Sequence, residues 1–238
     1  MKEEVYKVQK YSVGHRVDKQ LLISLQDVFD EYNRENTISV SADCANSSQY
    51  IFDSINECFD YFEKKPYRIV KLIVSVTWGH TLYGNKIEIV FDNSRFASTE
   101  VKFRFDNGDE YLLIKNKIET CLNNYKLDYR LLSKIPLIAT ISTIGFVAIC
   151  LYTEYKQIVF STIIQYLIIV IWTLAFTVSL FCGVKIKRNL FPCTEFWIGQ
   201  NIMIEEKYTK IRKFLLITIG VGMMVGIVVN CISGFLFK

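Results

Sequence analysis

The chain has 238 residues, enough for one or two domains, with 51% hydrophobic residues and a formal net charge of +4. So small an excess of positive charge argues against a nucleic-acid interface. Its distribution is uneven, because the first 130 residues carry the charge density of an ordinary soluble domain, whereas three long blocks beyond Leu131 carry almost none.

The first twenty residues are polar and lack the apolar core of a signal peptide. Loose alternation over 5–13 predicts an opening strand. Asp18 is placed to cap a helix over 19–34, with Leu22, Leu25, Val28, Phe29 and Tyr32 facing inward. Residues 37–43 alternate as a strand, with Ile38, Val40 and Ala42 on one face. From Ser48 a helix is predicted, because Ile51, Phe52, Ile55, Cys58, Phe59 and Phe62 recur at spacings of three and four; Pro66 ends it. Strands are expected over 69–78 (Val70, Leu72, Val74, Val76 and Trp78 on one face), 86–92, 99–106 and 110–113, the last two joined by an Asn107-Gly108 hairpin turn. A helix with Ile118, Cys121, Leu122 and Tyr125 on one side should fill 115–130. Residues 1–130 thus read as an α+β domain, an antiparallel meander with two to three helices.

Residues 131–238 read as an all-α membrane domain of three transmembrane helices, near 135–152, 158–184 and 214–237, none of which contains a charged residue. A hydrocarbon core of ~30 Å asks for roughly 20 apolar helical residues. Lys and Arg concentrate before the first block and in the loop 185–213, which predicts a multi-pass plasma-membrane protein with its N-terminal domain and that loop cytoplasmic and its C-terminus on the opposite side. The seven cysteines are scattered and odd in number, as expected for buried thiols in a reducing compartment.

No catalytic motif is present, neither G-x-G-x-x-G, a P-loop nor G-x-S-x-G. The two histidines, His15 and His80, lack metal-ligand spacing, so no metal, no cofactor and no enzymatic activity are expected. Three groups of residues stand out. Trp78, His80 and Tyr83 surround a predicted loop at the end of a strand and form a candidate site for a ligand or partner. Thr218, Gly222, Gly226, Asn230 and Gly234 recur at every fourth position, a ridge that permits close helix packing within the chain or between copies. Phe191, Phe196 and Trp197 lie near basic residues, as aromatic anchors at a bilayer interface do. A helix from Asn201 onward, with Glu206 and Lys210 at i, i+4, should run into the last apolar block as one rod.

The run Phe191-Pro192-Cys193-Thr194-Glu195-Phe196-Trp197-Ile198-Gly199-Gln200 fits F-P-x-x-x-F-x-I-G-Q. Together with Tyr50-x-Phe52-Asp53-Ser54-Ile55 and residues 123–134, it resembles a group of bacterial membrane proteins with a soluble N-terminal domain and such a cytoplasmic linker. The layout is also similar to bacterial defence proteins in which a small cytosolic domain controls membrane helices. These resemblances imply a layout and no chemistry. The expected function is a membrane-anchored sensing or protein-interaction module. The alternative is a membrane-disrupting or channel-forming effector, as in anti-phage defence, that acts on oligomerisation. Expected partners are the lipid bilayer, further copies of the chain, and a protein or small ligand at the cytosolic domain, with no nucleic acid.

Overall fold

A computed structural model describes residues 5–11, 14–32, 36–78, 84–93, 99–129 and 189–236, with short helical stretches within 143–177. Six strands form one sheet in the order β1-β7-β6-β5-β3-β4: β1 Val5–Tyr11, β3 Thr37–Cys44, β4 Gln49–Phe52, β5 Ile69–Trp78, β6 Asn85–Asp92 and β7 Thr99–Phe105. Every pairing within it is antiparallel. Helices α1 (Lys19–Tyr32), α2 (Ile55–Lys64) and α3 (Gly108–Asn124) cover one face. Strict alternation on the strands builds that core. Leu72, Val74 and Val76 on β5, Ile87, Ile89 and Phe91 on β6, and Val101, Phe103 and Phe105 on β7 are all fully buried. Their neighbours point to the other face, where ion pairs cross the strands: Lys102 to Glu88 at 2.6 Å and Lys10 to Glu100 at 3.6 Å.

Local signals account for most boundaries. Asp18 accepts from the Leu21 amide at 2.9 Å and opens α1. Ser54 caps α2 by accepting from the Glu57 amide at 3.1 Å, while Glu57 reaches back to the Asp53 amide at 3.0 Å. Ser54→Ala is therefore expected to destabilise the chain by about 1 kcal/mol, seen as a lowered denaturation midpoint with an unchanged slope.

Two expectations for this region are corrected. The helix predicted from Ser48 begins only at Ile55, because residues 49–52 pair with β3 as the edge strand β4. Asn107-Gly108 makes no hairpin. Asn107 is the N-cap of α3, its side chain accepting from the Asp109 amide at 3.0 Å, and residues 110–113 are helical. An Asn before a charged, strongly helix-forming stretch suits an N-cap as well as a turn.

A second, two-stranded sheet pairs β2 (His15–Val17) in parallel with β8 (Thr194–Phe196). Phe196 and Ile198 belong to the same core cluster as the strands and helices before residue 130, so the core takes residues from both sides of that position. Helix α4 (Asn201–Leu236) follows directly.

The expectation of an all-α membrane domain is overturned: among the described residues, no helix is long and apolar enough to cross a membrane. Most of the first two expected spans, 135–152 and 158–184, lies outside the described residues. The third falls on the second half of α4, where the described side chains run from Phe214 to Gly226. The membrane assignment, the multi-pass location and the topology drawn from Lys and Arg therefore lose their basis.

Candidate functional site

The first turns of α4 are fixed to the α+β domain by a chain of short-range devices. Gly199 adopts a φ of +53°, with the Phe62 carbonyl where a β-carbon would sit, so a side chain here would be both strained and obstructed. Two residues later, Asn201 is buried, and its side-chain amide pairs with both backbone groups of Ile69: Oδ1 accepts from the Ile69 nitrogen at 3.2 Å and Nδ2 donates to its carbonyl at 3.1 Å. The side chain thus continues the hydrogen bonding of β5 where the strand begins. On the other side, the Trp197 amide donates to the Val17 carbonyl at 2.7 Å, the Arg16 amide to Tyr125 at 2.8 Å and the Leu127 amide to Gly14 at 3.0 Å. Strand β2 is held between residues 125–127 and β8.

Beside these bonds lies a buried polar cluster centred on Arg212, one α4 residue pointing back at the domain. Its Nη2 pairs with Oε1 of Glu195 at 2.5 Å, both side chains being 5% exposed. Nη2 also donates to the Thr209 hydroxyl at 2.6 Å, and Nη1 donates to the Tyr129 hydroxyl at 3.1 Å and the Leu190 carbonyl at 3.0 Å. The Tyr129 hydroxyl donates to Glu195 Oε1 at 2.6 Å, and Trp197 Nε1 donates to Oε2 at 2.8 Å. Burial, followed by the charge of Glu195, pushes the Tyr129 hydroxyl far above its ordinary range, so it remains a donor. Four separate stretches of chain, near 129, 190, 195 and 209–212, therefore converge on one guanidinium.

Glu205 shares the cluster without sharing its bonds. Its Oε2 is buried with no hydrogen-bond partner among the described residues and lies 4.0 Å from Arg212 Nη2, beyond hydrogen-bond range. Desolvation and then the charge of Glu195 push its carboxyl up to about 7, against the opposing pull of Arg212 and Arg68.

The cluster forms one wall of an open cleft of about 900 Å³, bordered also by Arg16, Lys126, Trp197 and Lys213. Arg16 lies 4.1 Å above the Trp197 ring and pairs with Asp18 at 3.1 Å. A shallower depression of about 790 Å³ separates α1 from α3, bridged by Lys117 and Glu31 at 2.7 Å.

The expected site residues are distributed differently. Trp78 is 7% exposed and packs edge-on against Tyr32 and Phe105, as a core residue does; His80 and Tyr83 lie outside the described residues. Phe191, Phe196 and Trp197, expected as interfacial anchors, make contacts within the chain. Phe191 packs against Tyr129, Phe196 is fully buried in the core, and Trp197 carries Arg16 and bonds Glu195. The aromatic–basic composition that suggests a bilayer interface here builds an internal contact. On the α4 ridge, Thr218 is exposed and, among the described residues, nothing lies within 4 Å of a β-carbon placed on Gly222 or Gly226, while the side-chain positions of Asn230 and Gly234 lie outside the described residues. His15 is fully buried, its Nδ1 2.6 Å from the Thr99 hydroxyl, and burial followed by the charge of Lys126 lowers it to about 4, which keeps the ring neutral. Among the described residues, no group of three or more His, Cys, Asp or Glu side chains is arranged to hold a metal ion.

Sequence reasoning missed the Glu195–Arg212–Tyr129 cluster altogether. Its members are separated by 66 residues (Tyr129 to Glu195) and 83 residues (Tyr129 to Arg212), so no local spacing could reveal it. The only available signal was one glutamate in the apolar run 191–199. No protein-family model, curated protein or solved structure matches the chain.

Proposed function

We propose that the chain is a sensing or protein-interaction module, in which the α+β domain reads a partner or small ligand at the cleft beside Trp197 and passes its state to α4. The reading rests above all on Arg212. It sits on α4 and is bound by residues 129, 190 and 195, so that part of the cleft wall is in direct contact with the helix. Arg16 and Trp197 connect the cleft mouth to the same carboxylate, because Arg16 stacks on the ring whose Nε1 donates to Glu195. A rigid rod of 36 residues is a suitable carrier, at about 1.5 Å of rise per residue. The structural basis for coupling is a contiguous chain of contacts, and a measured response is what turns contiguity into coupling.

Arg16→Ala removes the cation from the Trp197 ring at the half-exposed mouth of the cleft. Amide hydrogen exchange on the full chain should then change at Trp197 and also along α4 beyond residue 212, by a few-fold in protection. A response that stops at residues 195–197 would show that the cleft and the helix are independent, and the reading would fall.

A further inference from the structure

The Arg212 cluster contains two carboxylates and one guanidinium close enough to bind them. Glu195 takes that guanidinium at 2.5 Å together with hydrogen bonds from Tyr129 and Trp197, so its charge is well compensated. Glu205 is as deeply buried, with a side chain 4% exposed, yet among the described residues its Oε2 meets no donor, and it stands 4.0 Å from Arg212 Nη2. An ionised carboxylate in that position is costly, because at Oε2 desolvation is not repaid by a hydrogen bond. A neutral carboxylic acid carries no such penalty.

We propose that Glu205 is a proton-operated latch: with the proton bound, the first three turns of α4 seat firmly on β8 and residues 125–129, and loss of the proton places a second buried negative charge beside Glu195 and loosens them. The charged and titratable groups facing Glu205 are Glu195 from β8, Arg212 from α4 itself, Arg68 from the segment before β5 and Tyr129 from the segment after α3. Burial and then the charge of Glu195 oppose ionisation, and the two arginines only partly offset them. The carboxyl's displacement to about 7 is in accord with this geometry and sets the working range. The sign follows from linkage. A carboxyl raised above its unfolded value stabilises the seated helix fully below that unfolded value, and the contribution is lost as pH rises through about 7. The latch supplies the regulation of the α4 coupling proposed above and takes its biological meaning from it.

The test is amide hydrogen exchange of residues 201–212 in the full chain, corrected for the intrinsic exchange rate at each pH. Protection should fall on the order of 30-fold from about pH 5.5 to about pH 8.5, as expected for a carboxyl moving from 4.5 when exposed to about 7 when seated. Glu205→Gln keeps the shape and removes the titration, so its protection should stay high and flat. A flat profile in the unchanged protein, or the same slope in Glu205→Gln, overturns the proposal. Should Glu205→Gln fail to fold, infrared spectroscopy of the unchanged protein decides: a carbonyl band from a buried neutral carboxylic acid should be present at the low end and vanish at the high end, and a slope in protection without that band overturns the latch. The Arg16→Ala response is measured at a single pH. Its absence with an intact pH slope removes the sensing reading and leaves the latch, and the reverse result removes only the latch.

Discussion

Arg212→Met is expected to destabilise the full chain by about 3–5 kcal/mol, the usual consequence of removing one partner from a buried ion pair. Methionine retains much of the apolar stem but none of the five donors. Glu195, with a side chain 5% exposed, would then keep only the Tyr129 and Trp197 bonds, and the Leu190 carbonyl would lose its donor. The urea midpoint should fall accordingly. Adding Glu195→Gln to Arg212→Met removes the stranded charge and should recover a substantial part of the loss, because a buried pair replaced together costs far less than a pair broken in half. If Arg212→Met alone unfolds within about 0.5 kcal/mol of the unchanged protein, α4 is not held by this cluster.

A loss of similar size, about 3–5 kcal/mol, is expected for Phe62→Ala. Phe62 is fully buried and its ring meets Phe52 at 5.7 Å, Tyr50 at 6.1 Å and Tyr61 at 5.4 Å. Its carbonyl also stands over Gly199, so a cavity here lies directly under the turn that starts α4. The substitution should therefore lower global stability and, in hydrogen exchange, expose residues 199–204 more than the distant strand β7. Phe62→Leu refills most of the space and should cost clearly less. Equal losses for the two variants would mean that ring contacts, and not filled volume, set the cost.

What the sequence made legible was set by the range over which each signal acts. Period-two alternation placed β5, β6 and β7 within a residue or so, and spacings of three and four found α1 and the buried face of α2 at Ile55, Cys58, Phe59 and Phe62. On β5 the expected inward Val70 is replaced by Ile69, because the register of β3 against β5 shifts between Asp43 and Cys44. A bulge that moves one residue past its partner leaves no trace in hydropathy. Residues 107–113 failed for a different reason: Asn-Gly serves two backbone geometries, and the choice depends on what the following helix can pack against. Ile51 and Phe52 fit a helical spacing by coincidence, and pairing with Ser41 and Val40 decided for a strand. The membrane reading rested on the length and the lack of charge of three blocks, and among the described residues no helix is long and apolar enough to cross a membrane. The candidate site was the least legible part, because a guanidinium drawing on residues 129, 190 and 195 is a product of tertiary structure alone.

The pairing of β2 with β8 has a consequence for how the protein is made. His15 waits for Thr194, and Val17 for Phe196, across 179 residues of chain. A ribosome adding ~5–20 residues per second spends roughly 4–14 s between finishing α3 and delivering β8. Throughout that interval the newly made six-stranded sheet lacks Phe196 and Ile198 from its core, and the buried face of β2 has no cover from that side. The nascent chain is thus exposed to aggregation and to holdase chaperones for seconds, and a slow cluster of codons in the stretch before Thr194 would lengthen that exposure without altering a single residue of the finished fold.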